Sequence, residues 1–458
     1  MFQRTCKTAW VCSHQIRSRA QAIKIQTMER PNLKKYIHSS NSSGAPTSSS
    51  ENQEAGCEKK SHQGPSDFEP RPVLHTRASA YRMGSVNSRR DSSQFIFRLH
   101  KYYPMAPKVL VVGSGGVGSI AALALTLNGK SETTLVVRSD YDKVIKNGYT
   151  VHSVTYGDLE NWRPKHVSRS VEEAARDFGP FDYVVVTTKN IPDGSMTCED
   201  IIRPAVSPST TIVLIQNGIG IEKPMFEQFP GSVVLSGISM IGSSNRNCVI
   251  ENSHKDHILL SPFNNPSISK DIAQDKLKEF ASIYQNDDRS INEIDLEEDS
   301  RRSRWAKLVY NCVMNTTCAM TGLDVNRCQI NDANRALFEP AMNEVMAIAK
   351  SDGVELGEGP KQKFLHIGDG LFYSPSMLID VQKGQLMELE IILGNPLRIA
   401  RENGVETPVL SVLYQLLKMK QFKLRESMGL VKVDESLYKG KDSYEYPGIF
   451  AASNKKAE

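Results

Sequence analysis

Short, continuous apolar runs recur along the middle of the chain, separated by polar or helical stretches. Five runs read as strands, and a sixth candidate is shorter: 107–112, 134–137, 182–187, 211–215, 233–238 and 257–260. Continuous rather than alternating runs are typical of strands buried on both faces of a parallel sheet. A stretch rich in Ala and Leu, residues 119–127, follows the first run and reads as a helix. This order predicts an α/β domain with a Rossmann-type, doubly wound sheet.

The pattern changes near Asp299, after which helical periodicity dominates. Four segments read as helices: 303–322, 332–352, 374–402 and 408–420. They predict an all-α second domain. The polar, acidic segment before them, residues 262–300, reads as a loop-rich link. We therefore divide the chain into an extension (1–104), a dinucleotide-binding domain (105–298), a helical substrate and catalytic domain (299–430) and a polar tail (431–458).

The first 104 residues show no periodic apolar pattern, so we expect a disordered, basic and Ser-rich extension. Its first 50 residues carry eight Lys and Arg and one acid, Glu29. Such a composition is typical of a mitochondrial transit peptide. The alternatives are a non-specific basic tail and a translation start at Met105, immediately before the first strand. We expect a cytoplasmic protein, or a mitochondrial one if the extension is a transit sequence.

Charge and cysteine content exclude several classes of function for the folded part. The 458-residue chain has a formal net charge of +4, yet residues 1–104 hold 17 Lys and Arg against 7 Asp and Glu. The remainder is therefore mildly acidic, which argues against a nucleic acid partner, because phosphate binding needs clustered cations. The eight cysteines form no CxxC pair, no His cluster has metal-ligand spacing, and no apolar run is long enough to span a membrane.

A glycine loop carries the first chemical signal. It lies between the first strand and the first helix and has the GxGxxG spacing of a dinucleotide site: Gly113, Ser114, Gly115, Gly116, Val117 and Gly118. In this motif the first glycine permits a tight turn, the second lets the backbone approach a pyrophosphate, and the third lets helix and strand pack closely. The helix N-terminus then attracts the anion. The strand–turn–helix context is what makes this short motif informative.

The end of the second strand predicts which dinucleotide is bound. An NAD site usually places Asp or Glu there, on the ribose 2′-hydroxyl. This chain has Arg138 followed by Ser139, and a guanidinium offers a fork of donors to a 2′-phosphate. We therefore predict NADPH as the cofactor. The alternative is that Asp140 serves the ribose of NADH, if the strand ends later.

Polar residues on the first helix of the second domain form a stripe. Lys307, Asn311 and Asn315 are four residues apart each time and share one helix face among apolar neighbours. Such groups are either satisfied in a core or face a polar ligand. Lys189 and Asn217 each close a predicted strand, where ligands of open α/β sheets bind. Taken singly, they are equally well read as a solvated lysine and a turn.

A second polar set follows in the helical domain. Ser376 and Asp380 belong to a predicted helix that Ser374 or Ser376 caps. Glu388 lies eight residues after Asp380, on nearly the same face, and should meet a cation or a polar ligand if it points inward. Glu390 reads as a solvated position.

Together these residues resemble the ketopantoate reductase (2-dehydropantoate 2-reductase) family from Lys108 to about Lys420. The resemblance implies a second domain like the C-terminal domain of 6-phosphogluconate dehydrogenase. It implies NADPH-dependent reduction of ketopantoate to pantoate, for pantothenate and coenzyme A biosynthesis. It also implies roles for single residues: Lys307 and Glu388 in catalysis; Asn311, Asn315, Ser376 and Asp380 in substrate binding; the glycine loop, Arg138, Lys189 and Asn217 in cofactor binding.

Three rival interpretations remain open at this point. One is a related NADP-dependent 2- or 3-hydroxy acid dehydrogenase, because such enzymes share the helix lysine and asparagine. The second is an inactive NADPH-binding sensor, and the third is a role of the basic extension alone in binding RNA or a membrane. The expected partner is a small ketoacid, with neither nucleic acid nor membrane, and the chain is compatible with a homodimer. No metal is expected.

Overall fold

The computed structural model describes residues 106–454. The predicted extension, with its transit peptide and the start at Met105, lies outside the described residues. Twelve strands are present in the described part: Lys108–Val112 (β1), Glu132–Val136 (β2), Tyr149–Ser153 (β3), Gly157–Trp162 (β4), His166–Ser168 (β5), Tyr183–Val186 (β6), Thr211–Leu214 (β7), Val234–Ser239 (β8), Ser243–Arg246 (β9), Val249–Asn252 (β10), Asp256–Pro262 (β11) and Asn292–Leu296 (β12).

Helices surround and follow these strands. The α-helices are Gly116–Leu127 (α1), Tyr141–Asn147 (α2), Val171–Phe178 (α3), Cys198–Ile202 (α4), Lys223–Gln228 (α5), Lys270–Tyr284 (α6), Ser300–Tyr310 (α7), Thr316–Thr321 (α8), Val325–Ile330 (α9), Glu339–Ser351 (α10), Gly359–Leu365 (α11), Ser376–Gln382 (α12), Asn395–Glu402 (α13), Pro408–Ser427 (α14) and Tyr446–Ser453 (α15). Segments Asn311–Asn315, Asn334–Phe338 and Glu390–Gly394 are π-helical, and Arg203–Ala205, Glu435–Tyr438 and Ser443–Glu445 are 3₁₀-helical.

Eight strands form one sheet in the order β12-β11-β8-β7-β6-β1-β2-β5. All neighbours are parallel except β8 and β11, which run antiparallel. Every residue of β6 and β7 is buried, as continuous apolar strands require when both faces are covered. The predicted fold class, a doubly wound sheet followed by an all-α domain, is confirmed.

The two faces of β1 belong to different cores. Val109 and Val111 pack with α1 and α6 in one apolar cluster. Leu110 and Val112 point the other way and join a cluster that continues into the helical domain, where Trp305 is fully buried. Because one core runs through both domains, the helical domain is held against the carboxyl ends of the strands, where a ligand of this fold class binds.

Three expectations from the sequence were wrong. The supposed loop-rich link at 262–300 contains α6 and β12, and its many charges hid the apolar stripe of Ala273, Leu277 and Phe280. The long helix predicted at 374–402 is interrupted after α12, where Gly384 adopts a positive φ of 66° and the chain turns before Glu390.

The third error concerns the end of the chain. The predicted polar tail contains α15, and Phe450 on this helix packs against Phe422 of α14 with ring centroids 5.1 Å apart. The sequence pattern also failed to predict a second, four-stranded sheet in the order β4-β3-β10-β9. Its strands are short and mostly polar, so they lack the apolar runs that identify the main sheet.

Candidate active site

The glycine loop has the geometry of an anion cradle at the start of α1. Gly113 has a φ of 114°, which side chains with a Cβ rarely adopt. A Cβ at Gly118 would collide with the carbonyl oxygen of Gly113, so the helix and the turn approach as closely as they do only without one. A Cβ at Gly115 would meet nothing within 4 Å, so this backbone faces open space. The loop is therefore closed on its protein side and open at Gly115, as a bound pyrophosphate requires.

The four-stranded sheet supports the glycine loop through two side chains of its strand β9. Asn245 on β9 donates its side-chain amide to the carbonyl of Ser114 at 2.7 Å. Ser243 on the same strand donates to the carbonyl of Gly116 at 3.2 Å. These two contacts fix the loop on the side away from β1. The short polar run of β9 carries no sequence signal that could have identified them.

Arg138 lies just beyond β2 and is exposed. Among the described residues it forms neither a hydrogen bond nor an ion pair, so its guanidinium remains available to a ligand. The alternative ribose partner, Asp140, accepts a hydrogen bond from Lys143 at 3.0 Å. The arrangement fits a nucleotide whose 2′-position is negatively charged.

Lys307 projects from α7 toward the end of β8. Its Nζ donates to the carbonyl of Ser239 at 2.7 Å. Burial lowers the pKa of the Lys307 ammonium to about 8, and the nearby positive charge of Arg304 contributes to this shift, while the Glu388 carboxylate opposes it. A lysine in this state can give up a proton near neutral pH, which an ordinary surface lysine does poorly.

Glu388 and Asp380 reach across from the helical domain to the strand ends. Lys189, after β6, approaches Asp380 at 2.7 Å and Glu388 at 3.6 Å. Glu388 is 4 % exposed and also accepts the backbone N–H of Asn190 at 3.0 Å and the side-chain amide of Asn217 at 3.1 Å. Its inward position thus has the cation and polar partners that a buried carboxylate needs.

The charges in this cluster act on one another's protonation. Partial burial lowers the pKa of Lys189, but the carboxylates of Glu388 and Asp380 outweigh that effect, so its pKa lies above the ordinary value. Burial raises the pKa of Asp380, and Lys189 partly offsets the rise. The cluster therefore bridges the two domains with an ammonium that remains charged.

The asparagines of the stripe differ in their surroundings. The amide of Asn315 donates to Asn311 Oδ1 at 3.0 Å, and its oxygen accepts the backbone N–H of Met377 at 3.0 Å. Asn315 therefore accepts a backbone N–H in the first turn of α12. The sequence had predicted that Ser374 or Ser376 would cap this helix. The residue preceding α12 is Pro375, without a side-chain cap, and Ser376 lies within hydrogen-bond distance of Asn315 at 3.3 Å.

Two π-helical segments shape this side of the cleft. Asn311–Asn315 and Glu390–Gly394 pack against each other, and the thiol of Cys312 lies 2.9 Å from the carbonyl oxygen of Ile392. Such segments are rare and frequently occur at functional sites. The simple i, i+4 stripe did not predict this distortion, although it did place Asn311 and Asn315 on one helix face, where they form a hydrogen bond. Glu390, predicted to be solvated, accepts a hydrogen bond from the Tyr414 hydroxyl at 2.8 Å.

Sequence analysis also missed Arg304, one turn before Lys307. Its side chain is 2 % exposed and bonds to backbone carbonyls at the end of β7. The signal was present, since Arg304 lies on the helix face adjoining the stripe, but an arginine near a helix start reads as solvated.

Among residues 106–454, no group of three or more His, Cys, Asp or Glu side chains could hold a metal ion. In the same part of the chain no helix is both long and apolar enough to cross a membrane.

Comparisons with known proteins show which family the chain resembles. Residues 109–265 match the model of the ketopantoate reductase PanE/ApbA family, and residues 299–421 match the model of its C-terminal domain. A protein of Saccharomyces cerevisiae described as uncharacterized is 44% identical over 355 residues, covering 72% of this chain and 97% of its own. The 2-dehydropantoate 2-reductase of a Nostoc species is 28% identical over 313 residues, covering 68% and 94%.

A solved structure is similar over the same region. The 2-dehydropantoate 2-reductase from Methylococcus capsulatus superimposes with a TM-score of 0.58 at 29% identity, covering 69% of this chain and 97% of that one. D-mandelate dehydrogenase bound to NADH shares the fold at 19% identity, with a TM-score of 0.58. With both halves of the described body matched, the chain belongs to the ketopantoate reductase family of NAD(P)-dependent oxidoreductases.

Proposed function

We propose that this protein reduces 2-dehydropantoate (ketopantoate) to pantoate with NADPH. The observation that carries the proposal is that Lys307, whose pKa is lowered to about 8, bonds to the end of β8 and lies within the influence of the Glu388 charge. A ketone that accepts a hydride needs a proton donor that is protonated at neutral pH and does not hold its proton too tightly. Lys307 meets both conditions. Glu388, whose charge acts on Lys307, holds the amide of Asn217 and pairs with the ammonium of Lys189.

The residues fit the cofactor that this reaction requires. Open space at Gly115 and the start of α1 suit a pyrophosphate, and the exposed guanidinium of Arg138 suits a 2′-phosphate. Lys189 and Asn217 would line the nicotinamide end. When bound there, NADPH supplies the hydride.

The chain's own residues then handle the substrate and the proton. Lys307 polarises the carbonyl oxygen with its ammonium and transfers a proton to it as negative charge develops. Glu388 holds the amide of Asn217 in place and offers an acceptor to the substrate hydroxyl. Asn311, Ser376 and Asp380 would position the same hydroxyl and the carboxylate of the ketoacid, whereas Asn315 acts mainly by fixing α12 against them.

The substrate is tested with purified full-length protein and a panel of ketoacids. We expect oxidation of NADPH to be fastest with ketopantoate. Faster turnover of a 3-keto acid or of an aryl 2-keto acid would instead assign a related hydroxy acid dehydrogenase. Tight binding of NADPH without turnover of any ketoacid would favour a sensor and refute the proposed reaction.

The cofactor assignment predicts a specific effect of Arg138→Ala. Losing a charged hydrogen bond to the 2′-phosphate, worth about 1.5–3 kcal/mol, should raise the KM for NADPH about 10- to 100-fold. The KM for NADH should stay unchanged, because that cofactor has no phosphate there. Steady-state kinetics with both cofactors measure this.

A matched control is Arg302→Ala, which removes an exposed arginine that bonds to the carbonyl of Glu355, away from the glycine loop. It should leave both KM values near wild type. An Arg138→Ala enzyme that keeps its preference for NADPH would contradict the assignment.

A further inference from the structure

Arg304 is a buried cation that the proposed reaction does not yet use. Its side chain is 2 % exposed, and within residues 106–454 it forms no ion pair. Burial lowers the pKa of its guanidinium to about 10, and Glu222 acts on it only through its charge. Burying an arginine without a salt bridge costs free energy unless its N–H groups are hydrogen-bonded. The groups that accept those hydrogen bonds therefore indicate its role.

Those hydrogen bonds surround Asn217. One terminal nitrogen of Arg304, Nη1, donates to the carbonyls of Gln216 at 3.0 Å and Gly218 at 2.9 Å, the residues on either side of Asn217. The second terminal nitrogen lies 3.5 Å from the carbonyl of Leu214 at the end of β7. The backbone that carries Asn217 is therefore fixed on both sides by one guanidinium.

The remaining contacts of Arg304 are with β8 and with the residue that follows β11. Arg304 Nε donates to the hydroxyl of Ser236 at 3.0 Å, and the guanidinium lies over the ring of Phe263, 4.9 Å from its centroid. Strand β8 ends at Ser239, whose carbonyl accepts the Lys307 ammonium. Arg304 thus links the end of β7, which precedes Asn217, to the strand whose last residue bonds to Lys307.

The position of Arg304 also matters for charge. It lies one turn before Lys307 on the same helix, and like charges in that arrangement disfavour each other's ionised form. The charged groups acting on Lys307 are Arg304 on its own helix and Glu388 on the facing segment, while β8 contributes only the carbonyl of Ser239. Without the charge of Arg304, burial alone would oppose the effect of Glu388, so Lys307 would be a weaker acid.

Resting on the proposed function, we infer that Arg304 is a positioning residue of the reductase reaction. It fixes the backbone on both sides of Asn217, and it keeps a second positive charge beside Lys307 that promotes proton release. Two properties of one side chain, its fork of donors and its charge, therefore have separate effects. Each is removed by a different substitution.

Arg304→Lys keeps the charge and loses the planar fork. We expect kcat to fall about 10-fold or more, since one lost hydrogen bond to a charged group is worth about 1.5–3 kcal/mol. The pH at which kcat/KM declines on the alkaline side should stay near that of wild type, about 8. Wild-type kcat and KM in Arg304→Lys would overturn the role in holding Asn217.

Arg304→Gln removes the charge. We expect the alkaline decline of kcat/KM to move to higher pH, by about half a unit or more, because Lys307 then holds its proton more tightly. A purely structural role would lower stability and leave the decline where it was, so an unmoved decline in folded Arg304→Gln overturns the charge role.

Chemical labelling separates this inference from the choice of substrate. Competitive acetylation with acetic anhydride, read by peptide mass spectrometry, reports the pKa of Lys307 without any turnover of ketoacid. We expect half-maximal reactivity near pH 8 in wild type and Arg304→Lys, and higher in Arg304→Gln. If Arg304→Gln does not fold, the wild-type value decides: an ordinary lysine pKa overturns the charge role. Failure of the proposed reaction would appear only in the ketoacid assay.

Discussion

Lys307→Ala should lower kcat for ketoacid reduction by about 10²- to 10⁴-fold, the usual effect of removing a general acid. The Lys307 ammonium donates to Ser239 and has a pKa of about 8, so it is the group best placed to protonate the developing alkoxide. Affinity for NADPH should change little, because the glycine loop and Arg138 do not contact Lys307. Steady-state kinetics and fluorescence titration of NADPH measure the two quantities.

The fold should survive this substitution. Burial lowers the pKa of Lys307 because the protein interior destabilises the charged ammonium. Replacing the lysine with alanine removes that cost to the free energy of folding. The control is Lys350→Ala. It removes an exposed lysine of α10 whose ammonium pairs with Glu355. It should leave kcat unchanged. A Lys307→Ala enzyme with wild-type kcat would exclude Lys307 as the proton donor.

Glu388→Gln should lower kcat/KM for the ketoacid by about 10²-fold or more, which is the scale of removing one preorganised electrostatic group from an active site. The carboxylate organises three partners: the N–H of Asn190, the amide of Asn217 and the ammonium of Lys189. Glutamine keeps the size but has one acceptor oxygen and no charge. Kinetics over a range of ketoacid concentrations separate the effects on KM and kcat.

Glu390→Gln is a closely matched control, because Glu390 lies two residues further along and accepts its hydrogen bond from Tyr414 instead. It should behave like wild type in kinetics. Equal losses in both variants would mean that carboxylates in this segment act only through stability, and thermal unfolding of each variant would show it.

Much of the fold could be predicted from short stretches of sequence, because the strands in the middle of the main sheet are buried along their whole length. Strands such as β6 are buried on both faces and therefore appear as continuous apolar runs. Strand β12 and helix α6 were missed because each has one charged, exposed face. The charged residues make the whole segment polar on average, although a few apolar residues on the other face are buried. The helix at 374–402 was drawn too long because a single Gly384 in the left-handed region ends it.

The sequence proposes residues for the candidate site, but it does not show which of them contact each other. The spacing of Lys307, Asn311 and Asn315 identifies one helix face, and Asn217 and Lys189 mark strand ends. Which of them meet depends on how two domains pack, and no local pattern encodes that. The pairing of Lys189 with Asp380 joins residues 191 apart.

The same limit explains the residues that were missed or misread. Arg304 reads as a surface arginine until β7 and β8 are placed around it. Asn315 reads as a ligand of the substrate until α12 is seen to begin at its side-chain oxygen. The support of the glycine loop by Asn245 depends on a small sheet assembled from distant, polar strands.

The central claim is that hydride passes from NADPH to the keto carbon of ketopantoate within this protein. The most direct measurement uses NADPH deuterated at C4, prepared separately with the label on each face of the ring, and mass spectrometry of the product. We expect pantoate carrying one deuterium with one of the two cofactors, and almost no pantoate with Lys307→Ala. Unlabelled pantoate with both cofactors, or NADPH that binds while ketopantoate stays intact, would contradict it.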